Sequence, residues 1–211
     1  MTSGSGAVTL AQVRGELRPL MPEIANLLDI RFADTYEKFV DCIYQTLDGA
    51  LAFIEENPQL RKNDSEDRLT IEIVGLLRQS GLDASHDSMH GGHSDIVVKR
   101  ASYSWLAEAK IHSSYPYLFQ GFNQLTTRYA NGSKNNNKGC LLMYIRQKNA
   151  AVVVNKWKEH LTNKKLTAFN ISNCSQRGAH GFYSTHNHTG SGCHFEVRHI
   201  GVLLHHDPQD V

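Results

Sequence analysis

Ser94-Asp95-Ile96-Val97-Val98-Lys99 and Ser104-Trp105-Leu106-Ala107-Glu108-Ala109-Lys110-Ile111 decide the reading of this chain. Both runs have the length and apolar content of strands, and the few residues between them suit an antiparallel hairpin turning near Ala101-Ser102. Side chains alternate across a strand, so Glu108 and Lys110 share one face while Trp105, Ala107, Ala109 and Ile111 share the other. A hairpin symmetric about Ala101-Ser102 sets Asp95 opposite Glu108 and His93 opposite Lys110, and directly opposed residues point to the same side. Two carboxylates about 5 Å apart repel by roughly 3 kcal/mol at an effective dielectric near 20, a cost that a divalent cation reverses.

Hard oxygen donors without nearby paired cysteines favour Mg²⁺, with Mn²⁺ as its substitute, over zinc. A lysine beside two such acids completes a set suited to phosphodiester hydrolysis. The metal polarises a phosphoryl oxygen and activates water, and the ammonium orients that water or stabilises the developing charge. The plainer reading is a surface charge cluster in which Lys110 neutralises Asp95 and Glu108; exposed pairs of that kind contribute about 0 to 1 kcal/mol.

A third acid is found by helical phase. Ser65 is a suitable N-cap for a helix running to about Gln79, closed by Gly81. At about 100° per residue, Glu66 falls on the core-facing stripe with Leu69, Thr70, Ile73 and Leu77, where an unpaired charge is costly. Glu72 lies nearer the edge of that stripe and is the competing candidate.

Ser94-Asp95, Glu108-Ala109-Lys110 and the glutamate-bearing helix before them resemble the PD-(D/E)XK nuclease superfamily, with its restriction-endonuclease-like fold. The likeness extends over about residues 64 to 172, with serine at Ser94 where the family pattern has proline. It implies Asp95 and Glu108 as metal ligands, Glu66 as an outer metal contact and Lys110 as the catalytic lysine. Gln124 resembles the glutamine some members carry on the helix after the lysine strand. Arg128, one turn onward, is placed to meet a phosphate. The resemblance also implies DNA as the substrate and a bacterial restriction or antiviral-defence setting.

The rest of the chain is organised around this segment. Val8 to Leu28 reads as two short helices divided by Pro19 and Pro22, and a longer helix runs from about Thr35 to Glu56, capped by Asp34 and stopped at Asn57-Pro58. From Asp64 helices and strands alternate, the mark of an α/β domain. A strand is expected near Leu82 to Asp87 and a helix over Tyr117 to Tyr129. The Asn131–Gly139 loop precedes a strand at Cys140 to Arg146. A helix over Ala150 to Leu161, a strand over Leu166 to Ile171 and strands around Phe182 to Thr185 and His194 to Leu204 complete the order. The expected architecture is a restriction-endonuclease-like mixed central sheet flanked by helices (61–211), with an N-terminal helical extension (1–60) that covers the main core or serves as a partner surface.

A formal net charge of +1 conceals an uneven distribution. Residues 1 to 72 carry 13 Asp/Glu against 7 Lys/Arg, whereas residues 121 to 170 carry 9 Lys/Arg against Glu159 alone. Beside a catalytic site, Arg128, Lys134, Lys138 and Lys156 from this basic stretch become candidates for holding a nucleic-acid backbone; taken alone, such a stretch is a solvated lysine-rich face. Cys174, His180, His186, His188, Cys193 and His194 invite a zinc reading, but without a C-x-x-C pair hydrogen-bonded or surface histidines are favoured. Gly91-Gly92 suits a tight turn, with His93 near the scissile phosphate or in a structural hydrogen bond.

No apolar run approaches the roughly 20 residues of a membrane span, the first residues lack a secretory signal, and the four cysteines are widely spaced. The cytoplasm and reduced thiols are therefore expected. The expected activity is Mg²⁺-dependent hydrolysis of DNA, by a homodimer or a subunit of a larger complex, since one small surface offers few base contacts. A catalytically inactive nucleic-acid-binding module of the same fold is the alternative, and a zinc-stabilised interaction protein centred on the tail is the third reading.

Overall fold

The computed structural model describes residues 8–86, 88–89 and 93–210. The chain opens with α1 (Leu10–Leu20), which Thr9 starts with a reciprocal capping box to Gln12. Pro22 stands at the start of α2 (Pro22–Phe32), so the two prolines divide the segment as the sequence suggests. α3 (Tyr36–Glu55) is capped by the Thr35 hydroxyl rather than by Asp34, whose carboxylate instead pairs with Lys38 at 2.7 Å. Ser65 caps α4 (Glu66–Gln79), and Gly81, at φ 94°, takes the left-handed conformation that lets the chain leave the helix.

β1 (Asp83–Ser85) follows, then the short strands β2 (Ser88–Met89) and β3 (His93–Ser94), and then the hairpin of β4 (Ile96–Arg100) and β5 (Tyr103–Ile111). Ser114 and Pro116 start α5 (Tyr115–Asn123) two residues earlier than the apolar spacing suggests, and the helix continues into a π-helical segment, Gln124–Tyr129. β6 (Lys138–Ile145), α6 (Ala150–Thr162), β7 (Asn170–Asn173), β8 (Gly181–Asn187) and β9 (His194–Leu203) complete the order. The strand expected over Leu166 to Ile171 is displaced to β7. Lys165 and Ala168 have φ of 53° and 55°, which turns the chain where an extended strand would need negative values.

Seven strands form one mixed sheet in the order β1-β4-β5-β6-β9-β8-β7, with β5, β6 and β9 parallel and the other neighbours antiparallel. The alternation of β5 separates two apolar layers. Trp105, Ala107 and Ala109 pack with Phe39, Ile43 and Leu47 of α3 and with Leu69 and Ile73 of α4. Leu106 faces the other layer, with Leu118 and Phe122 of α5 and Val153 and Trp157 of α6. This is an α/β architecture with a mixed sheet between helices, and α3 belongs to the same apolar layer as the sheet. Among the described residues no helix is long and apolar enough to cross a membrane.

Candidate active site

The hairpin register is the one its symmetry requires, running from Arg100 opposite Tyr103 to Ile96 opposite Ala107. The ladder ends there, one pair short of Asp95 and Glu108. At Asp95 the backbone bends, β3 pairs with β2, and His93 is therefore not aligned with Lys110. Two side chains account for the bend. The Ser94 hydroxyl, fully buried, lies 3.3 Å from the carbonyl oxygens of both Ile96 and Ala107, and Asp95 Oδ2 accepts the Ala109 N–H at 2.8 Å. Ser94 thus braces the corner with its hydroxyl. The side chain of His93 and the Gly91-Gly92 turn lie outside the described residues.

Glu66, Asp95 and Glu108 surround the Lys110 ammonium. Lys110 Nζ is 2.6 Å from Glu108 Oε1, 3.3 Å from Glu66 Oε1 and 3.8 Å from Asp95 Oδ2. Glu66, in the first turn of α4, also accepts the Ile111 N–H at 2.7 Å through Oε2, so the helix start is tied to the end of β5. Glu72 is drawn elsewhere: Arg61 grips both its oxygens at 2.6 Å. The helical-phase choice between the two acids therefore coincides with the side chain that reaches Lys110.

Burial sets the electrostatics. Glu108 is 1% exposed and Lys110 7%. Burial, then the neighbouring Asp95 charge, pushes Glu108 up to about 7, more than its pairing with Lys110 can offset. Burial also raises Asp95, against the Ala109 N–H and Lys110. Burial disfavours the Lys110 ammonium, but Glu108, Asp95 and Glu66 outweigh that, and the amine is held protonated more firmly than usual. Glu108 Oε2 is buried without a hydrogen-bond partner, an unusual state for a carboxylate oxygen. Among the described residues no three His, Cys, Asp or Glu side chains are grouped as metal ligands.

α5 lies directly over the pair. A Cβ at Gly121 would stand 2.9 Å from Lys110 Cγ and 3.3 Å from Glu108 Cγ, so only glycine permits this approach. Tyr117 adds its hydroxyl 3.5 Å from Glu66 Oε2 and its ring 5.8 Å from Lys110 Nζ. Neither residue stands out in the sequence as part of the site. The signal for Gly121 is a glycine inside a helix, which costs about 1 kcal/mol relative to alanine and so points to a packing reason.

Gln124 and Arg128 line a cleft of about 360 Å³ together, and Gln124 Oε1 is buried without a hydrogen-bond partner. The other basic candidates are dispersed. Lys138 pairs with Glu196 at 3.3 Å, Lys134 is exposed in the loop before β6, and Lys156 is exposed on α6. Of the wider basic stretch, Arg146 donates to the Arg61 and Asp64 carbonyls, Lys148 pairs with Asp207, and Lys164 covers the Phe119 ring at 4.2 Å.

Of the tail histidines, His188 is engaged by the structure. His188 is buried between the Ala130 carbonyl and the Ser191 N–H, each at 3.0 Å. Cys174 is buried with its sulfur 3.4 Å from the Arg198 guanidinium. No family model, curated protein or solved structure matches this chain, so the geometry stands by itself.

Proposed function

We propose that the protein is a Mg²⁺-dependent nuclease of restriction-endonuclease-like fold whose active site is Glu66, Asp95, Glu108 and Lys110, with Gln124 in the role that the resemblance implies for it. The observation that carries this reading is the convergence of three acids from three segments on one buried lysine, in the arrangement that the D…ExK resemblance implies. A purely structural cluster gains little from burying such charges, since several kcal/mol of desolvation per ion oppose their attraction. Perturbed carboxylates of this kind are a mark of functional sites.

Magnesium fits the donors. The unpartnered Glu108 Oε2 is a hard oxygen in need of a partner, and a divalent cation would offset the burial and mutual repulsion that raise Asp95 and Glu108. Asp95 and Glu108 would hold the ion, with Glu66 as an outer contact. When bound, Mg²⁺ supplies positive charge to a phosphoryl oxygen and acidifies a water. Lys110 keeps its proton and stabilises negative charge developing on the phosphodiester. The Ala109 N–H fixes the Asp95 carboxylate, and the Ile111 N–H fixes Glu66. DNA is the substrate the resemblance implies, in restriction or antiviral defence.

One observation favours a second reading. Lys110 already pairs with the acids at 2.6 to 3.8 Å, an ion-pair cluster that a non-catalytic nucleic-acid-binding module of this fold can keep without a metal. Cleavage of plasmid and linear duplex with Mg²⁺ and with chelator, by wild type and Asp95→Ala, separates the two. Metal-dependent cutting that is lost in Asp95→Ala, with DNA binding retained, supports the enzyme. Binding without cutting by either protein supports the module.

A further inference from the structure

Two clefts meet along α5 and its π-helical extension. The first, of about 360 Å³, is lined by Phe119, Gln120, Asn123, Gln124, Thr127 and Arg128. The second, of about 230 Å³, shares Asn123 and Thr127 with it and adds Lys165, Thr167, His186 and Asn187. Because they have these two residues in common, the clefts adjoin along one helix edge. The helix that carries the shared wall of the clefts also abuts Lys110 and Glu108 through Gly121.

Their chemistry is one-sided. The described lining residues offer amides, hydroxyls, a guanidinium and an ammonium, and none is acidic. His186, in the wall of the second cleft, is 4% exposed, and its Nδ1 is buried without a hydrogen-bond partner. The wall is braced: the Asn187 N–H donates to the Thr167 carbonyl at 2.9 Å, and the left-handed Lys165 backbone turns the chain at the cleft. Amides, hydroxyls and cations without carboxylates suit phosphate oxygens.

We propose that the two adjoining clefts form one groove that holds the phosphodiester backbone of a nucleic-acid strand beside the carboxylate cluster, with Arg128 and Lys165 each meeting a phosphate. The identity of the polymer rests on the nuclease reading; the groove itself rests on its lining. It differs from the dispersed lysines as an interface because its cations stand in clefts that share walls.

The test is binding of a fluorescent single-stranded DNA of about 20 nucleotides, longer than the roughly 4 to 16 nucleotides a single-strand groove covers, by the full chain in EDTA, where cutting plays no part. Lys165→Glu and Asn123→Asp should each weaken binding at least about tenfold, with a shallower salt dependence for Lys165→Glu as one phosphate contact is lost. Lys99→Glu, the same charge change at an exposed strand position, should leave affinity within about twofold, since a rim charge away from the contact adds little. Equal weakening by Lys99→Glu, or no binding by the wild type, overturns the groove. Wild-type binding with the expected pattern but no cutting in Mg²⁺ leaves the groove standing and removes the nuclease. Cutting by the wild type with unaltered binding by Lys165→Glu and Asn123→Asp does the reverse.

Discussion

Glu108→Gln should make the protein more stable and abolish its activity, and the size of the stability gain should depend on pH. Burial and Asp95 push Glu108 up to about 7 from an ordinary 4.5. At about 1.4 kcal/mol per tenfold, holding this carboxylate ionised inside the fold costs on the order of 3 kcal/mol once the pH is above 7. The sign follows from the raised value. Below 4.5 the group is protonated in both folded and unfolded chains and carries no penalty; between 4.5 and 7 the unfolded chain loses its proton first, and stability falls as pH rises. Glutamine mimics the protonated acid, so the advantage of Glu108→Gln should be absent near pH 4, grow through pH 4.5 to 7 and level off near 3 kcal/mol. For a domain of this size that corresponds to roughly 6 to 12 °C in the unfolding midpoint at pH 8. The assay is thermal or urea unfolding of both proteins from pH 4 to 8, reported as a difference so that the titration of other groups cancels. Excess Mg²⁺ should narrow the gap at pH 8 by stabilising only the wild type, while plasmid cutting by the variant falls by on the order of 10³. A variant less stable than wild type at pH 8, or a gap that does not change with pH, refutes the argument.

Glu66→Gln and Glu72→Gln should separate two acids of the same helix: the first lowers cutting at least about tenfold, while the second leaves cutting intact and costs about 1 kcal/mol in urea unfolding through the lost Arg61 fork. Gly121→Ala should displace Lys110, whose Cγ stands 2.9 Å from the added methyl group. Cutting should fall more than about tenfold and stability by about 1 to 3 kcal/mol, despite the better helix former; unaltered kinetics would show that the helix yields instead. His199 and His186 are lowered to about 3 and about 4, by burial first. Being depressed below 6.5, they give stability that is complete above that pH and lost as pH falls towards 4, so in Glu108→Gln, where the opposing Glu108 contribution is absent, a midpoint measured by circular dichroism should drop across that window. Replacing His199, which takes the Trp157 indole N–H at 3.1 Å, by glutamine should flatten the drop.

What the sequence determined by itself was local: the alternation that puts Glu108 and Lys110 on one face, the turn at Ala101-Ser102 that sets the register, the Ser65 cap and the helical phase that favours Glu66 while keeping Glu72 as its competitor. Each follows from a period or a dihedral preference spanning a few residues. The tertiary structure decided what depends on distant segments meeting. It ended the ladder at Ile96, because Asp95 turns to the Ala109 N–H; brought Gly121 and Tyr117 onto the lysine; and shifted β7 to Asn170–Asn173 through left-handed residues that carry no glycine signal. Above all, it set the burial of Glu108. A carboxylate's charge is written in its residue type, but the cost of keeping that charge comes from the atoms around it, and those come from β5, α4 and α5 packing together.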